Sequence, residues 1–207
     1  MSEPAARRPG RNAFVLTVSD RAAGGTREDS GGSGVAERLE ALGFEVERAV
    51  VADDREAIEE ALRGAADKNI LVVTTGGTGL TPRDVTPQAT LAVVDYEVPG
   101  MAEAMRAEGR EQTPFAALSR AVVGVRGRTL IVNLPGSPKG ALESIEAIVP
   151  ILDHALETLA GPFDHGAGLA GDGDASASDD GDAPGDSTED QHDFGRDVPV
   201  VEPEKED

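Results

Sequence analysis

Short apolar runs alternate along this sequence with segments in which apolar residues recur at helical spacing. The predicted strands are the apolar runs at 13–18, 44–51, 70–74 and 128–133. The predicted helices cover 35–42, a segment that begins at Asp53 or Asp54, a segment that begins at Thr86, then 98–108, 114–123 and 138–159. Strands that are apolar on both faces and alternate with helices form a mostly parallel sheet between helices. The pattern therefore predicts an α/β fold.

Charge divides the chain near residue 163. The formal net charge is −20, and the segment 164–207 contributes fifteen acidic residues against Arg196 and Lys205. Because this segment has almost no apolar residues, it cannot bury enough surface to offset its ordering entropy. We expect a disordered N-terminal extension at 1–11, one folded domain at 12–163 and a disordered acidic tail at 164–207.

Composition also excludes several classes of protein. A strongly acidic chain lacks the basic face with which nucleic-acid-binding proteins neutralise phosphates. No apolar run reaches the roughly 18 residues that a membrane span needs. The chain has no cysteine, which excludes a disulfide framework, a thiolate nucleophile and a cysteine-ligated metal. We therefore expect a cytoplasmic protein that binds neither nucleic acid nor membrane.

Polar or glycine-rich clusters follow all four predicted strands. They are Ser19-Asp20-Arg21, Asp53-Asp54, Thr75-Gly76-Gly77-Thr78-Gly79 and Asn133-Leu134-Pro135-Gly136-Ser137. Open α/β sheets bind their ligands beyond the carboxyl ends of the strands. Four such clusters in these positions predict a binding site at that edge.

The glycine run after the third strand is suited to bind an anion through its backbone amides. It is not a Walker-type phosphate loop, because Leu80 and Thr81 follow Gly79 where that motif has Lys and then Ser or Thr. It does not match the G-x-G-x-x-G dinucleotide fingerprint either. A tight turn without a ligand is the alternative, and the three neighbouring clusters favour the anion site.

Two carboxylates in or near these clusters are candidates for holding Mg²⁺. Thr86, followed by proline, is suited to cap the next helix, so Asp84 is not needed as the cap. A carboxylate beside a phosphate-binding loop suits Mg²⁺, which takes one or two carboxylates plus substrate phosphates. The alternatives for Asp84 are a cap or a pair with Arg83. For Asp53 both interpretations stay open, because Asp53-x-x-Glu56 resembles a capping box.

The segment after the last strand leads directly into the closing helix. Backbone amides at a helix N-terminus attract anions, and Lys139 adds a positive charge there. The alternative is an ordinary strand-to-helix turn in which Ser137 caps the helix.

In combination, these motifs resemble the MogA/MoaB molybdopterin-binding family, to which the gephyrin and plant G-domains belong. The motifs that carry the resemblance are Val18-Ser19-Asp20-Arg21, Thr74-Thr75-Gly76-Gly77-Thr78-Gly79, Arg83-Asp84-Val85-Thr86-Pro87, Leu118-Ser119-Arg120 and Asn133-Leu134-Pro135-Gly136-Ser137-Pro138-Lys139. It extends over residues 12–161. The resemblance implies a three-layer α/β/α sandwich with a mostly parallel central sheet, assembled as a homotrimer.

The resemblance also implies a molybdopterin adenylyltransferase of molybdenum cofactor biosynthesis, which moves AMP from ATP to the molybdopterin phosphate and releases pyrophosphate. Asp53 and Asp84 align with the family's essential carboxylates, which we expect to hold Mg²⁺. The expected substrate-binding residues are Ser19, Asp20, Arg21, Thr75, Gly76, Gly77, Thr78, Gly79, Ser119, Asn133, Pro135, Gly136, Ser137 and Lys139.

A second interpretation within the family stays open. MoaB-type and CinA-like relatives share the fold and much of the loop chemistry, so the alternative is a molybdopterin-binding protein without adenylation activity. Asp53, Asp84 and the Ser-Pro-Lys sequence favour the enzyme. Its expected partners are molybdopterin and ATP as substrates, further copies of the chain in the homotrimer, and a downstream molybdenum insertase as the acceptor of the product.

Overall fold

The computed structural model of this protein describes residues 10–161. The strands are β1 (Asn12–Val18), β2 (Glu45–Val51), β3 (Leu71–Thr75), β4 (Tyr96–Glu97), β5 (Val123–Arg126) and β6 (Thr129–Leu134). The helices are α1 (Asp20–Ala23), α2 (Ser30–Ala41), α3 (Arg55–Ala66), α4 (Thr86–Leu91), α5 (Pro99–Gln112) and α6 (Pro138–Ala160). A 3₁₀ helix, Pro114–Leu118, precedes β5. The acidic tail and nearly all of the N-terminal extension lie outside the described residues, so their disorder stays a prediction.

The six strands form one sheet in the order β2-β1-β3-β6-β5-β4. The first four pair in parallel, whereas β5 is antiparallel to both β6 and β4. The parallel strands also end at the same level, because Val18 pairs with Val51 and Thr75 pairs with both Thr17 and Leu134. The segments that follow these strands therefore start along one edge of the sheet.

Helices cover both faces of the sheet. On one face, α2, α5 and α6 bury side chains such as Leu39, Met105 and Ile148 against the strands. On the other, α3 and α4 bury Ile58 and Ala89. Burial of alternate strand residues in each cluster removes apolar area from water on both faces and stabilises three layers. The predicted α/β/α sandwich with a mostly parallel sheet is confirmed.

The helix predicted over 114–123 is wrong in its second half, where the chain leads into β5. The backbone N–H of Asn133 donates to the Val122 carbonyl at 3.0 Å, and the Asn133 side-chain oxygen accepts the Val122 N–H at 3.3 Å. These bonds draw the segment onto β6. Apolar periodicity over a short run does not separate a buried strand from a helix. The two-residue strand β4 was not predicted at all.

The boundaries that differ from the prediction include the start of α2 and the start of the folded domain. α2 begins at Ser30, five residues early, because the Asp29 carboxylate accepts the Gly32 N–H at 2.8 Å and caps the helix. Arg11, expected in the extension, contacts the domain: its guanidinium lies 4.1 Å from the centre of the Phe44 ring and 2.6 Å from an Asp153 carboxylate oxygen. None of the helices between residues 10 and 161 has the length and apolar character needed to cross a membrane.

Candidate active site

Two adjoining cavities lie where the parallel strands end. The larger has a volume of about 390 Å³ and the smaller of about 180 Å³. Gly77 and Gly136 line both, so the segments after β3 and β6 form the boundary between them. We expected one pocket at this edge. The structure instead divides the candidate residues, with Asp84 at the larger cavity and Asp53 at the smaller one.

The glycine run adopts a backbone that other residues rarely take. Gly76 and Gly77 have φ angles of +98° and +62°. A Cβ on Gly76 would collide with the Val18 carbonyl oxygen, and one on Gly77 with the hydroxyl of Thr86. The Gly76 N–H donates to the Leu134 carbonyl at 3.1 Å. Only glycine lets the run cross this closely between β1, β6 and the start of α4.

Thr86 is not the cap of α4, and that prediction is wrong. The N-cap residue is Val85, which makes no side-chain capping bond. The buried Thr86 hydroxyl donates instead to the Gly76 carbonyl at 2.9 Å. Thr86 therefore fixes the backbone of the glycine run. Capping preferences alone do not predict this role.

Asp84 lies at the wall of the larger cavity beside the glycine run. Its Oδ2 accepts the Thr81 N–H at 2.8 Å and the Thr81 hydroxyl at 2.6 Å. Burial alone raises the pKa of Asp84, but the hydrogen bonds from Thr81 and Gly79, with the charge of Arg120, outweigh it and hold the pKa below its ordinary value. The alternative pair with Arg83 does not form, because Arg83 pairs with Asp20. The site therefore contains an ionised carboxylate.

Asp53 is not the N-cap of α3, although its sequence pattern allowed that role. The cap of α3 is Asp54, whose Oδ1 accepts the Ala57 N–H at 2.9 Å. Asp53 instead lines the smaller cavity and accepts the Asp20 N–H at 2.8 Å. Asp20 lines neither cavity and acts on the site through this bond.

Most of the other predicted substrate-binding residues line one cavity or the other. The larger cavity is lined by Thr78, Gly79, Ser119, Pro135 and Ser137. The smaller is lined by Ser19, Thr75 and Gly76. Both serines at helix starts also cap: Ser19 Oγ accepts the Ala22 N–H at 3.3 Å, and Ser137 Oγ accepts the Gly140 N–H at 3.2 Å.

Besides Asp20, three predicted residues line neither cavity. Asn133 is fully buried, and its side-chain amide donates to the hydroxyls of Thr74 and Thr90 at 3.1 and 2.9 Å, so it supports the site from within the core. The Lys139 ammonium pairs with Glu143 at 3.3 Å. Arg21 lies on the exposed surface of α1.

Strand-end reasoning missed one whole wall of the larger cavity. This wall comes from α5, the 3₁₀ helix and α6, and it includes Met105, Arg106, Phe115, Leu118 and Ser144. Arg106 is the one Lys or Arg among the described residues that line this cavity, and its Nη1 donates to the Ala121 carbonyl at 3.1 Å. None of these residues follows a strand, so strand ends give no signal for them, although Leu118 stands in one of the motifs that carry the family resemblance.

The carboxylates of the candidate site can be compared with what a divalent metal ion requires. Within residues 10–161, no three or more His, Cys, Asp or Glu residues are grouped so as to hold a metal. Asp53 and Asp84, one at each cavity, offer two carboxylates. Mg²⁺ binds through one or two carboxylates when substrate phosphates complete its shell, so these two residues are compatible with it.

Comparison with known sequences gives one family and several close relatives. The family described as "Probable molybdopterin binding domain" matches residues 14–154. The molybdopterin adenylyltransferase of Helicobacter pylori strain J99 is 41% identical over 156 residues, which cover 72% of this chain and 88% of that protein. The molybdopterin adenylyltransferase of Escherichia coli K12 is 42% identical over 139 residues, with 65% and 71% covered.

Solved structures give the same result for the fold. The molybdopterin biosynthesis enzyme MoaB from Thermus thermophilus is 50% identical and superposes with a TM-score of 0.68, covering 74% of this chain and 99% of that one. The molybdopterin biosynthesis Mog protein from Mycobacterium ulcerans is 44% identical, with a TM-score of 0.69 and coverage of 72% and 99%.

Proposed function

This chain belongs to the molybdopterin-binding domain family, and on that premise we propose that it is a molybdopterin adenylyltransferase of molybdenum cofactor biosynthesis. It would take AMP from ATP, transfer it to the molybdopterin phosphate and release pyrophosphate. The observation that carries the proposal is the pair of cavities that share Gly77 and Gly136. A protein that joins two substrates needs two sites whose reacting groups can meet, whereas a binding protein for one ligand needs a single site.

The two cavities differ in the chemistry they offer. Apolar side chains of Met105, Phe115 and Leu118 line the larger one, which suits a planar ring such as a pterin or an adenine. Polar groups such as Ser19, Thr75 and Asp53 dominate the residues of the smaller one. We propose that phosphate groups lie at the shared glycines, where backbone amides are available to donate hydrogen bonds.

Catalysis by these residues would consist of positioning and charge compensation. A molybdopterin phosphate oxygen forms a bond to the α-phosphorus of ATP, and the bond from that phosphorus to pyrophosphate breaks. The attacking oxygen is already anionic, so no side chain has to remove a proton from it. The main obstacle is repulsion between two anions. Mg²⁺, when held at Asp84 or at Asp53, would neutralise phosphate charge, and Arg106 adds a fixed positive charge at the larger cavity.

The proposal extends to assembly and to the next step of the pathway. Leu80 and Leu118 are 64% and 51% exposed, and association into a homotrimer would bury such apolar side chains. We propose a molybdenum insertase as the acceptor of the adenylated product. We also propose a cytoplasmic location, where ATP is available.

The test is to incubate the purified chain with molybdopterin, ATP and Mg²⁺ and to measure pyrophosphate and AMP-linked pterin. The wild-type chain should form both in equal amounts, and Asp84→Asn should lose most of this activity at saturating Mg²⁺. Asp67→Asn, an exposed acid at the end of α3, is the matched control and should retain it. Retention of molybdopterin without pyrophosphate release would identify a binding protein instead, and an unchanged Asp84→Asn would refute the role of Asp84.

A further inference from the structure

Arg120 binds three backbone carbonyls of the segment 78–84. Its backbone N–H donates to the Thr78 carbonyl at 3.0 Å, and its Nε donates to the Gly79 carbonyl at 2.7 Å. Its Nη2 donates to the carbonyl of Asp84. Arg120 is half-buried and directly follows Ser119, but it lines neither cavity. One side chain thus connects the wall that contains the 3₁₀ helix with the segment that contains Asp84.

This connection adds to the bonds that flank the segment, where Thr86 donates to the carbonyls of Gly76 and Gly77. Its internal bonds, from the Asp84 N–H to the Thr81 carbonyl at 3.0 Å and from Thr81 to the Asp84 carboxylate, shape a turn without fixing where the turn lies. The pair between Arg83 and Asp20 is exposed, with 65% and 47% of the side chains accessible. Exposed ion pairs contribute little rigidity because water competes for them. Arg120, by contrast, holds the segment at both ends.

We propose that Arg120 is a positioning residue, whose guanidinium fixes Gly79 relative to Asp84 and so aims the Asp84 carboxylate into the larger cavity. The proposal rests on the proposed function for its catalytic consequence. Arginine is required because its planar group presents several N–H donors in fixed directions, whereas a lysine ammonium at the end of a flexible stem is a single point donor. Lysine could reach one of the two carbonyls but would not hold their separation.

Loss of the two hydrogen bonds from the Arg120 guanidinium should affect turnover more than substrate binding. The larger cavity keeps its ring-binding wall when Arg120 is replaced, so substrate affinity should change little. Asp84 would sample orientations away from the reacting phosphates, and poorly held groups at a metal or catalytic site lower activity by about 10–100-fold. A substitution at Arg120 should therefore lower kcat and leave KM nearly constant.

The experiment compares Arg120→Lys and Arg120→Gln with Arg126→Lys and Arg126→Gln. Arg126 is a matched control, since it is also half-buried and donates to one backbone carbonyl, that of Val93, at 3.0 Å, but lies on β5 away from both cavities. Two quantities are measured: kcat and KM for ATP and molybdopterin, and amide hydrogen exchange over residues 78–84 without substrate.

Both Arg120 variants should lower kcat about 10–100-fold with KM within about threefold, and should speed exchange at 78–84 more than the Arg126 variants do. The proposal is overturned if exchange at 78–84 matches that of the Arg126 variants, or if KM rises while kcat is unchanged, because Arg120 would then contact substrate. The hydrogen-exchange measurement needs no turnover. It therefore still tests whether Arg120 fixes the segment 78–84 if the wild-type chain forms no adenylated product. Arg120→Lys keeps the charge and the aliphatic stem and is the variant to use if Arg120→Gln does not fold.

Discussion

Asp20 and Asp53 hold each other through two crossed hydrogen bonds. The Asp20 N–H donates to Asp53 Oδ2 at 2.8 Å, and the Asp53 N–H donates to Asp20 Oδ1 at 3.0 Å. The Asp53 amide, followed by the Arg83 guanidinium, holds the pKa of the Asp20 carboxyl below its ordinary value. These two hydrogen bonds join the residues after β1 to those after β2. Asp53 is therefore held at the smaller cavity by a residue that lines neither cavity.

Asp53→Asn separates the charge of this residue from its position. The asparagine oxygen can still accept the Asp20 N–H, so the crossed bonds should survive while the negative charge is lost. If Asp53 holds Mg²⁺ against the phosphates, pyrophosphate release should fall by about 10²–10³, the size of effect seen when one preorganised electrostatic group is removed. The measurements are the steady-state rate of pyrophosphate release, which should fall, and the thermal unfolding midpoint, which should stay constant.

Asp54→Asn is the control for that experiment. It changes the neighbouring carboxylate, and asparagine caps a helix about as well as aspartate, so both α3 and activity should be retained. Equal activities in the two variants would contradict a special role for Asp53.

Gly76→Ala tests whether the glycine run is required for its backbone conformation. Alanine at φ +98° is strained, and its Cβ would meet the Val18 carbonyl oxygen, which cannot move without disturbing β1. We expect destabilisation by about 1–3 kcal/mol or more. Gly64→Ala is the control, because Gly64 lies inside α3 with no atom within 4 Å of the added Cβ. That change should stabilise by about 0.5–1 kcal/mol. Urea unfolding measures both, and a neutral Gly76→Ala would contradict the strain argument.

The residues that could be found from sequence are those that follow a strand. Asp53, Gly76 and Ser137 were found because apolar runs mark strand ends, and parallel strands end at one edge. The wall of Arg106 and Phe115 could not be found in this way. This wall forms because α5 and the 3₁₀ helix pack beside the ends of the strands. The spacing of residues in the sequence does not predict that packing. The prediction of a helix over 119–123 is wrong for the same reason, since the local pattern does not mark the strand β6 with which β5 pairs.

Phe115→Ala tests whether the larger cavity binds a planar ring. Phe115 is 74% exposed, so its truncation leaves no core cavity and should change stability by less than about 0.5 kcal/mol. Loss of a stacking contact with a heterocycle costs about 1–3 kcal/mol, or a factor of about 5–150 in Kd. Calorimetric titration measures the Kd for ATP and for molybdopterin in separate experiments. Binding of one of the two should weaken, which identifies the ligand whose ring occupies this cavity. Phe115→Tyr should bind like wild type, and unchanged affinity for both ligands in Phe115→Ala would refute the assignment.

Glu146→Gln tests the pair that joins α2 to α6 and predicts a specific pH dependence. Arg38 donates to both carboxylate oxygens of Glu146, through Nε and, at 3.0 Å, through Nη2. The hydrogen bonds from Arg38 lower the pKa of Glu146 below its ordinary value of 4.5. A group whose pKa is lowered by folding adds stability above its unfolded pKa and loses it as the pH falls through the folded value. The wild-type advantage over Glu146→Gln should therefore be constant near neutral pH and disappear in acid.

The size of this advantage is limited by solvent. The side chains of Arg38 and Glu146 are 30% and 48% exposed, so the pair should contribute less than about 1 kcal/mol. Urea unfolding from about pH 7 to about pH 3 measures the difference in the free energy of unfolding between the two proteins. Glu157→Gln is the control, since Glu157 is exposed on the same helix and forms no ion pair within residues 10–161. If Glu157→Gln lost as much stability as Glu146→Gln, or if the difference grew in acid, the pair with Arg38 would not be its source.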